Sequence, residues 1–136
     1  MKPIQRDSLT VFGAYLVAAA AAIASVVLTS YEQPLATAAL ADLVATLVIF
    51  VASVAANNSS MYYPYWSVAP PLLTLYWLGS YGHVSSGALL LLALIVLWGV
   101  RLTANWASRW RGAKDEDWRY REFRANSGPL YWLVSL

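Results

Sequence analysis

Apolar residues fill four long stretches of this chain, separated by short polar breaks. Residues 9–29 make the first stretch, with an alanine-rich centre at residues 18–22. About 20 predominantly apolar residues carry a helix across a bilayer, so a spanning helix is predicted here. The stretch exceeds the roughly 7–15 residues of a signal-peptide core and reads as an anchored helix, although Lys2 and Arg6 precede it. Beyond a short turn holding Pro34, residues 36–56 form a second span. Asn57-Asn58-Ser59-Ser60 then breaks the pattern, and a tyrosine-rich stretch from Met61 to Trp66 follows. Pro70 and Pro71 are expected in the first turn of a third helix, where a missing backbone donor matters least. That helix covers residues 67–82 and is short enough to be tilted or re-entrant. Gly82, His83, Ser85, Ser86 and Gly87 read as a turn, and residues 88–108 as a fourth span, apolar until Leu97 and basic after it. A basic segment at 109–127 comes next, and Leu130 opens an apolar run. The pattern predicts an all-α polytopic membrane bundle, one domain over residues 1–136, with about four spans and the start of a fifth.

Charge sharpens this picture. Only 12% of the 136 residues are charged and 60% are hydrophobic, against roughly 25% charged in ordinary soluble domains. Between Asp7 and Arg101 the only charges are Glu32 and Asp42, whereas eleven fall between Arg101 and Arg124. Such a stretch has too little to offer water and belongs in a membrane. Basic residues precede the first span and follow the fourth, and the loops between lack them. Both termini are therefore expected on the cytoplasmic side. The absence of cysteine excludes disulfides, thiol nucleophiles and cysteine-based metal sites. A single histidine, His83, excludes a metal site built on two imidazoles; it reads as a polar residue of an outer turn. The net charge of +2, with its basic residues beside a span, gives no sign of nucleic-acid binding.

Three constellations carry candidate chemistry. Asp42 is the one ionisable group well inside a span. Intramembrane carboxylates are costly and face bundle interiors or cavities, which suits a proton donor or substrate-orienting acid. A helix-start carboxylate near the outer interface, stabilised by the helix dipole, explains it equally well, and straight-helix arithmetic puts it about 20 Å from the cytoplasmic mouth. Arg101, Asn105 and Arg109 share one helix face by their spacing of four, beside Trp98, Trp106 and Trp110. Guanidinium forks suit phosphates and aromatic rings suit flat heterocycles, while a positive-inside anchor with an aromatic belt is the plainer explanation. Finally, Asp115–Arg119 and Asp117–Arg121 would pair at i,i+4 on a short surface helix.

Three segments then resemble a known family. Asn58-Ser59-Ser60-Met61-Tyr62-Tyr63-Pro64-Tyr65-Trp66-Ser67-Val68-Ala69-Pro70-Pro71 is the first, and Trp98-Gly99-Val100-Arg101-Leu102-Thr103-Ala104-Asn105-Trp106 the second. Trp110-Arg111-Gly112 with Glu116-Asp117-Trp118-Arg119-Tyr120 and Tyr131-Trp132-Leu133-Val134-Ser135 follows in order. Together they resemble bacterial steroid 5-alpha-reductase-like membrane proteins, long known as a domain of unknown function. The chain departs from that pattern at Tyr63, where the family usually carries an acid, and at Asp115, often a histidine there.

The resemblance implies NADPH-dependent reduction of an enone double bond in a lipid-like substrate, in a bacterial inner membrane. It implies that the chain is the N-terminal half of a longer protein, inactive alone, with the main NADPH-binding core in a complementary C-terminal half. Asp42 and Tyr62 are the implied catalytic residues. Arg101, Asn105, Arg109, Arg111, Tyr65, Trp66, Trp118, Arg119 and Tyr120 are the implied cofactor contacts, and no metal is expected. A methyltransferase branch of the same superfamily and a non-catalytic membrane partner or scaffold are the competing functions.

Overall fold

A computed structural model describes residues 3–29, 33–82 and 84–135; Lys2, Glu32 and His83 lie outside them. Apart from short connections, the described chain is helical. Helix α1 is Pro3–Thr29, α2 Pro34–Ala55, α3 Tyr65–Tyr81, α4 Ser86–Arg109, α5 Trp118–Ser127 and α6 Tyr131–Ser135. A 3-10 turn, Ser59–Met61, joins α2 to α3. Among the described residues, three helices are long and apolar enough to cross a membrane: Ile4–Thr29, Pro34–Ala55 and Ser86–Arg109. Large side chains such as Leu28, Leu90, Leu94 and Leu97 are exposed on them, as lipid-facing helices require. The membrane-bundle reading therefore holds.

Helix ends differ from the sequence pattern in instructive ways. Pro34 opens α2 instead of lying in the preceding turn, where its fixed φ suits the first helical position. Ser85 caps α4 by accepting from Ala88 N at 3.2 Å, so Ser86 and Gly87 are helical. Gly82 ends α3 with φ +67°, a left-handed conformation that glycine adopts without strain. Helix α3 has 17 residues, about 25 Å at 1.5 Å per residue, and falls short of a typical hydrocarbon core of about 30 Å.

The third helix also begins earlier than expected, so Pro70 and Pro71 sit inside it and not in its first turn. Proline lacks the N–H that the carbonyl four residues back would accept, so Pro71 leaves the Ser67 carbonyl without its helical partner. Gly99 of α4 packs directly against that oxygen: a Cβ added at Gly99 would lie 2.5 Å from Ser67 O. The Ser67 hydroxyl, which donates to Pro64 O at 2.9 Å, also bonds the Thr103 hydroxyl at 2.9 Å. Missing side chain and missing N–H together let α3 and α4 approach closely, the small-residue packing used where no hydrophobic effect drives helices together.

Gly99→Ala should therefore destabilise the bundle by about 1–3 kcal/mol, the usual cost of overpacking. Gly13→Ala, where an added Cβ meets nothing within 4 Å, should be neutral or slightly stabilising. Thermal unfolding of both variants in nanodiscs checks the pair, and equal midpoints would contradict the close α3–α4 contact.

Candidate functional site

The break at residues 57–60 is a buried polar knot and not a surface turn. Asn58, Ser59 and Ser60 are almost wholly buried. Their polar groups are answered partly within the turn and partly from distant parts of the chain. Asn58 Nδ2 donates to Ala113 O at 2.7 Å, and Asn58 Oδ1 accepts from Ser60 N at 2.8 Å. Ser60 O accepts from the Trp106 indole at 3.1 Å, and Ser60 Oγ from Asp117 N at 2.6 Å. Tyr15 of α1 donates to Met61 O at 3.1 Å.

Glu116 is the hub of this knot. Its Oε1 accepts from Ser59 N at 2.9 Å, from the Tyr131 hydroxyl at 2.8 Å and from Arg124 at 3.1 Å, while its Oε2 accepts from Arg124 Nε at 3.1 Å. Arg124 also donates to Asn57 Oδ1 at 3.1 Å and lies over the Tyr131 ring at 4.0 Å. Burial opposes the charge on Glu116, but the bonds from Arg124, Ser59 N–H and Tyr131 outweigh it and hold the carboxyl below its usual range. Sequence reading missed this residue as a centre. Glu116 is one acid in a mixed-charge run, and its partners lie 57 residues before it and 15 after it.

The same folding-in of residues 58–65 carries the tyrosines into the bundle. Tyr62 and Tyr65 are buried and stacked, with centroids 5.5 Å apart and planes at 15°. The Tyr65 hydroxyl donates to Asp42 Oδ1 at 2.6 Å, with Asp42 O also within 3.0 Å. The straight-helix arithmetic that sets Asp42 about 20 Å from the far end of its helix thus does not keep it from Tyr65. It assumed a loop lying outside a straight bundle, whereas the loop descends between the helices. Trp66 is exposed and meets Tyr62 edge-on at 5.7 Å.

A cavity of about 530 Å³ lies between α1, α2 and α3. Ala18, Ala19 and Ala22 of α1 face Ala38, Ala41 and Ala45 of α2 across it, and these small side chains leave the space open. Leucine, valine and isoleucine complete apolar walls, and Asp42, Tyr65, Tyr15, Thr37 and Tyr76 supply the polar atoms. An apolar cavity with a few polar groups is the ordinary form of a small-molecule site. The alanines at spacings of three and four were the sequence signal for it.

Arg101, Asn105, Arg109 and Arg111 are exposed. Among the described residues, their side chains make no hydrogen bond or ion pair. Tyr62 and Tyr65 turn inward, Tyr65 to the acid and Tyr62 stacked on it. Arg119 Nη2 donates to the Tyr63 hydroxyl at 3.2 Å, and its guanidinium packs over the Tyr63 ring at 4.9 Å. The i,i+4 pairs are corrected. Helix α5 starts at Trp118, so Asp117 is its cap, accepting from Arg119 N at 3.0 Å and pairing with the Arg119 guanidinium at 3.2 Å. Asp115 precedes the helix. Trp118 is exposed, and Tyr120 is half-buried, its phenol pushed up to about 12 chiefly by burial.

Residues 49–136 match a family described as "Protein of unknown function (DUF1295)". The chain belongs to that family. No curated protein and no solved structure matches it. The DUF1295 stretch contains the polar knot, both tyrosines, the arginine face and α5, whereas Asp42 and the alanine walls precede it.

The low Glu116 carboxyl fixes the sign of an acid response. Its charge contributes stability in full above the unfolded value of 4.5, and that contribution fades as pH falls through the lower folded value. Tryptophan fluorescence and limited proteolysis of residues 113–131 should report release of the segment below pH 4.5. Glu116→Gln should flatten that transition, and an unchanged transition in the variant would assign it to other groups.

Proposed function

We propose that this chain forms the substrate-holding part of a membrane reductase that acts on a conjugated carbonyl in a lipid-like molecule. One observation carries the reading: the Tyr65–Asp42 hydrogen bond, 2.6 Å long, on the wall of an apolar cavity of about 530 Å³. A lipid-like body matches the alanine, valine and leucine walls. Its single polar end matches the tyrosine–acid pair. Low polarity around the pair strengthens each hydrogen bond made there.

Enone reduction adds hydride at the β carbon and a proton at the α carbon, with negative charge building on the carbonyl oxygen between the two. The Tyr65 hydroxyl carries one hydrogen, given to Asp42 in this structure; on substrate entry that hydrogen would turn from Asp42 to the carbonyl oxygen. Until then Asp42 holds the phenol from one side, and the Tyr62 ring, stacked on Tyr65, fixes it from another. Such preorganised donors stabilise the charge that develops in the transition state. Water is kept away by the apolar walls.

NADPH, when bound, supplies the hydride in this reading. Arg101, Asn105 and Arg109, exposed along one face of α4 with their donors free among the described residues, fit its phosphates by charge and donor geometry. Arg111 extends the same basic end. Placement of that end on the cytoplasmic side of a bacterial inner membrane, where NADPH is available, agrees with the basic residues around it.

Calorimetric titration of purified protein in nanodiscs with NADPH tests the cofactor assignment. A variant carrying Arg101→Ala and Arg109→Ala should bind at least about tenfold more weakly, since charge-assisted hydrogen bonds contribute about 1.5–3 kcal/mol each. Equal affinity in both proteins would sink the assignment. Asp42→Asn should leave NADPH affinity unchanged and weaken binding of a long-chain enone.

A further inference from the structure

An unbroken chain of hydrogen bonds runs from Glu116 to Asp42. Glu116 Oε1 accepts from Ser59 N at 2.9 Å. Ser59 O accepts from Tyr62 N at 3.0 Å, and Tyr62 O accepts from Tyr65 N at 3.0 Å. Tyr65 Oη then donates to Asp42 Oδ1 at 2.6 Å. Every residue between Glu116 and Asp42 on this path is buried, so water cannot substitute for a lost link.

The Ser59 end of this path is held mainly by residues outside the bundle. Ser59 N–H meets Glu116, and the Ser59 hydroxyl bonds Tyr131 at 2.6 Å, itself bound to Glu116 at 2.8 Å. Two of the three polar groups of Ser59 thus end on the Glu116–Tyr131 pair, and the third starts the path to Tyr65. A shift of the carboxylate displaces the turn, and the turn carries the backbone of both stacked tyrosines.

We propose that Glu116 is a positioning residue for the tyrosine–acid pair: it fixes the 3-10 turn at Ser59–Met61, and the turn aims Tyr65 at Asp42. This rests on reading Asp42 and Tyr65 as the polar end of the substrate cavity. The segment carrying Glu116, α5 and α6 thereby reaches the cavity without lining it. A physical coupling of this kind requires a demonstrated response at the far end and not proximity alone.

Infrared difference spectroscopy of the full chain in nanodiscs supplies that response. The carboxyl band lost in Asp42→Asn identifies Asp42, and Tyr65→Phe should move this band by removing its hydrogen bond. Glu116→Ala should move the band in the same direction. Glu116→Gln, which keeps one acceptor for Ser59 N–H, should leave it between wild type and Glu116→Ala. Asp117→Ala removes the α5 cap and serves as the control for general loosening; it should leave the band in place. Should Glu116→Ala not fold, the comparison rests on Glu116→Gln against Asp117→Ala. A band that stays at its wild-type position in the Glu116 variants while Tyr65→Phe moves it would overturn the positioning role and leave the pair standing. A shift in Asp117→Ala equal to that in the Glu116 variants would overturn it too. A band unmoved by Tyr65→Phe would remove the tyrosine–acid pair itself, and with it both readings.

Discussion

Three consecutive polar residues buried between helices impose the constraint on which this structure turns. An amide or hydroxyl withdrawn from water without a partner costs several kcal/mol, and beside a bilayer no solvent is at hand to replace it. Asn58, Ser59 and Ser60 meet that requirement only because the chain returns from the far end of α4. Residues 113–131 bring carbonyls, a backbone N–H, a carboxylate and a phenol to the turn. Glu116 carries the largest share, and Arg124 neutralises it through two hydrogen bonds. The knot and the returning segment stabilise one another.

The position of the site follows from the knot. A turn that sinks between α2 and α4 delivers Tyr62 and Tyr65 inside the bundle, within reach of an acid in α2. A turn lying on the surface would leave Asp42 alone in its helix. The alanine faces of α1 and α2 then matter for a second reason: they leave space beside the pair. Close packing of α3 on α4 at Gly99 keeps α3 at the depth this arrangement needs.

Sequence pattern sufficed for the helices because apolar run length is a local property. The long helices, their order and a short third helix were legible, although α1 begins at Pro3, ahead of its apolar run. The misplaced boundaries at Pro34, Tyr65 and Ser86 are positions where capping or a proline at a first turn decides the end. The knot was not legible, since Asn-Asn-Ser-Ser has the composition of any exposed turn and its distant partners lie 46 to 72 residues away in sequence. Asp42 was legible as an unusual acid. Its partner was not, because helix-rise arithmetic holds for straight rods and fails when a connecting loop descends between them. The arginine face was legible from its four-residue spacing, and the structure leaves it exposed.

Amide hydrogen exchange at the turn tests the locked knot most directly. Ser59 N–H and Ser60 N–H lie outside the long helices, and an ordinary loop would exchange them within the fastest phase. Bound to Glu116 and to the Asn58 side chain, both should exchange as slowly as amides in the middle of α2. Exchange at loop rates, with α2 and α4 still protected, would contradict the account, for it would mean that the turn is open and that nothing holds Tyr65 against Asp42.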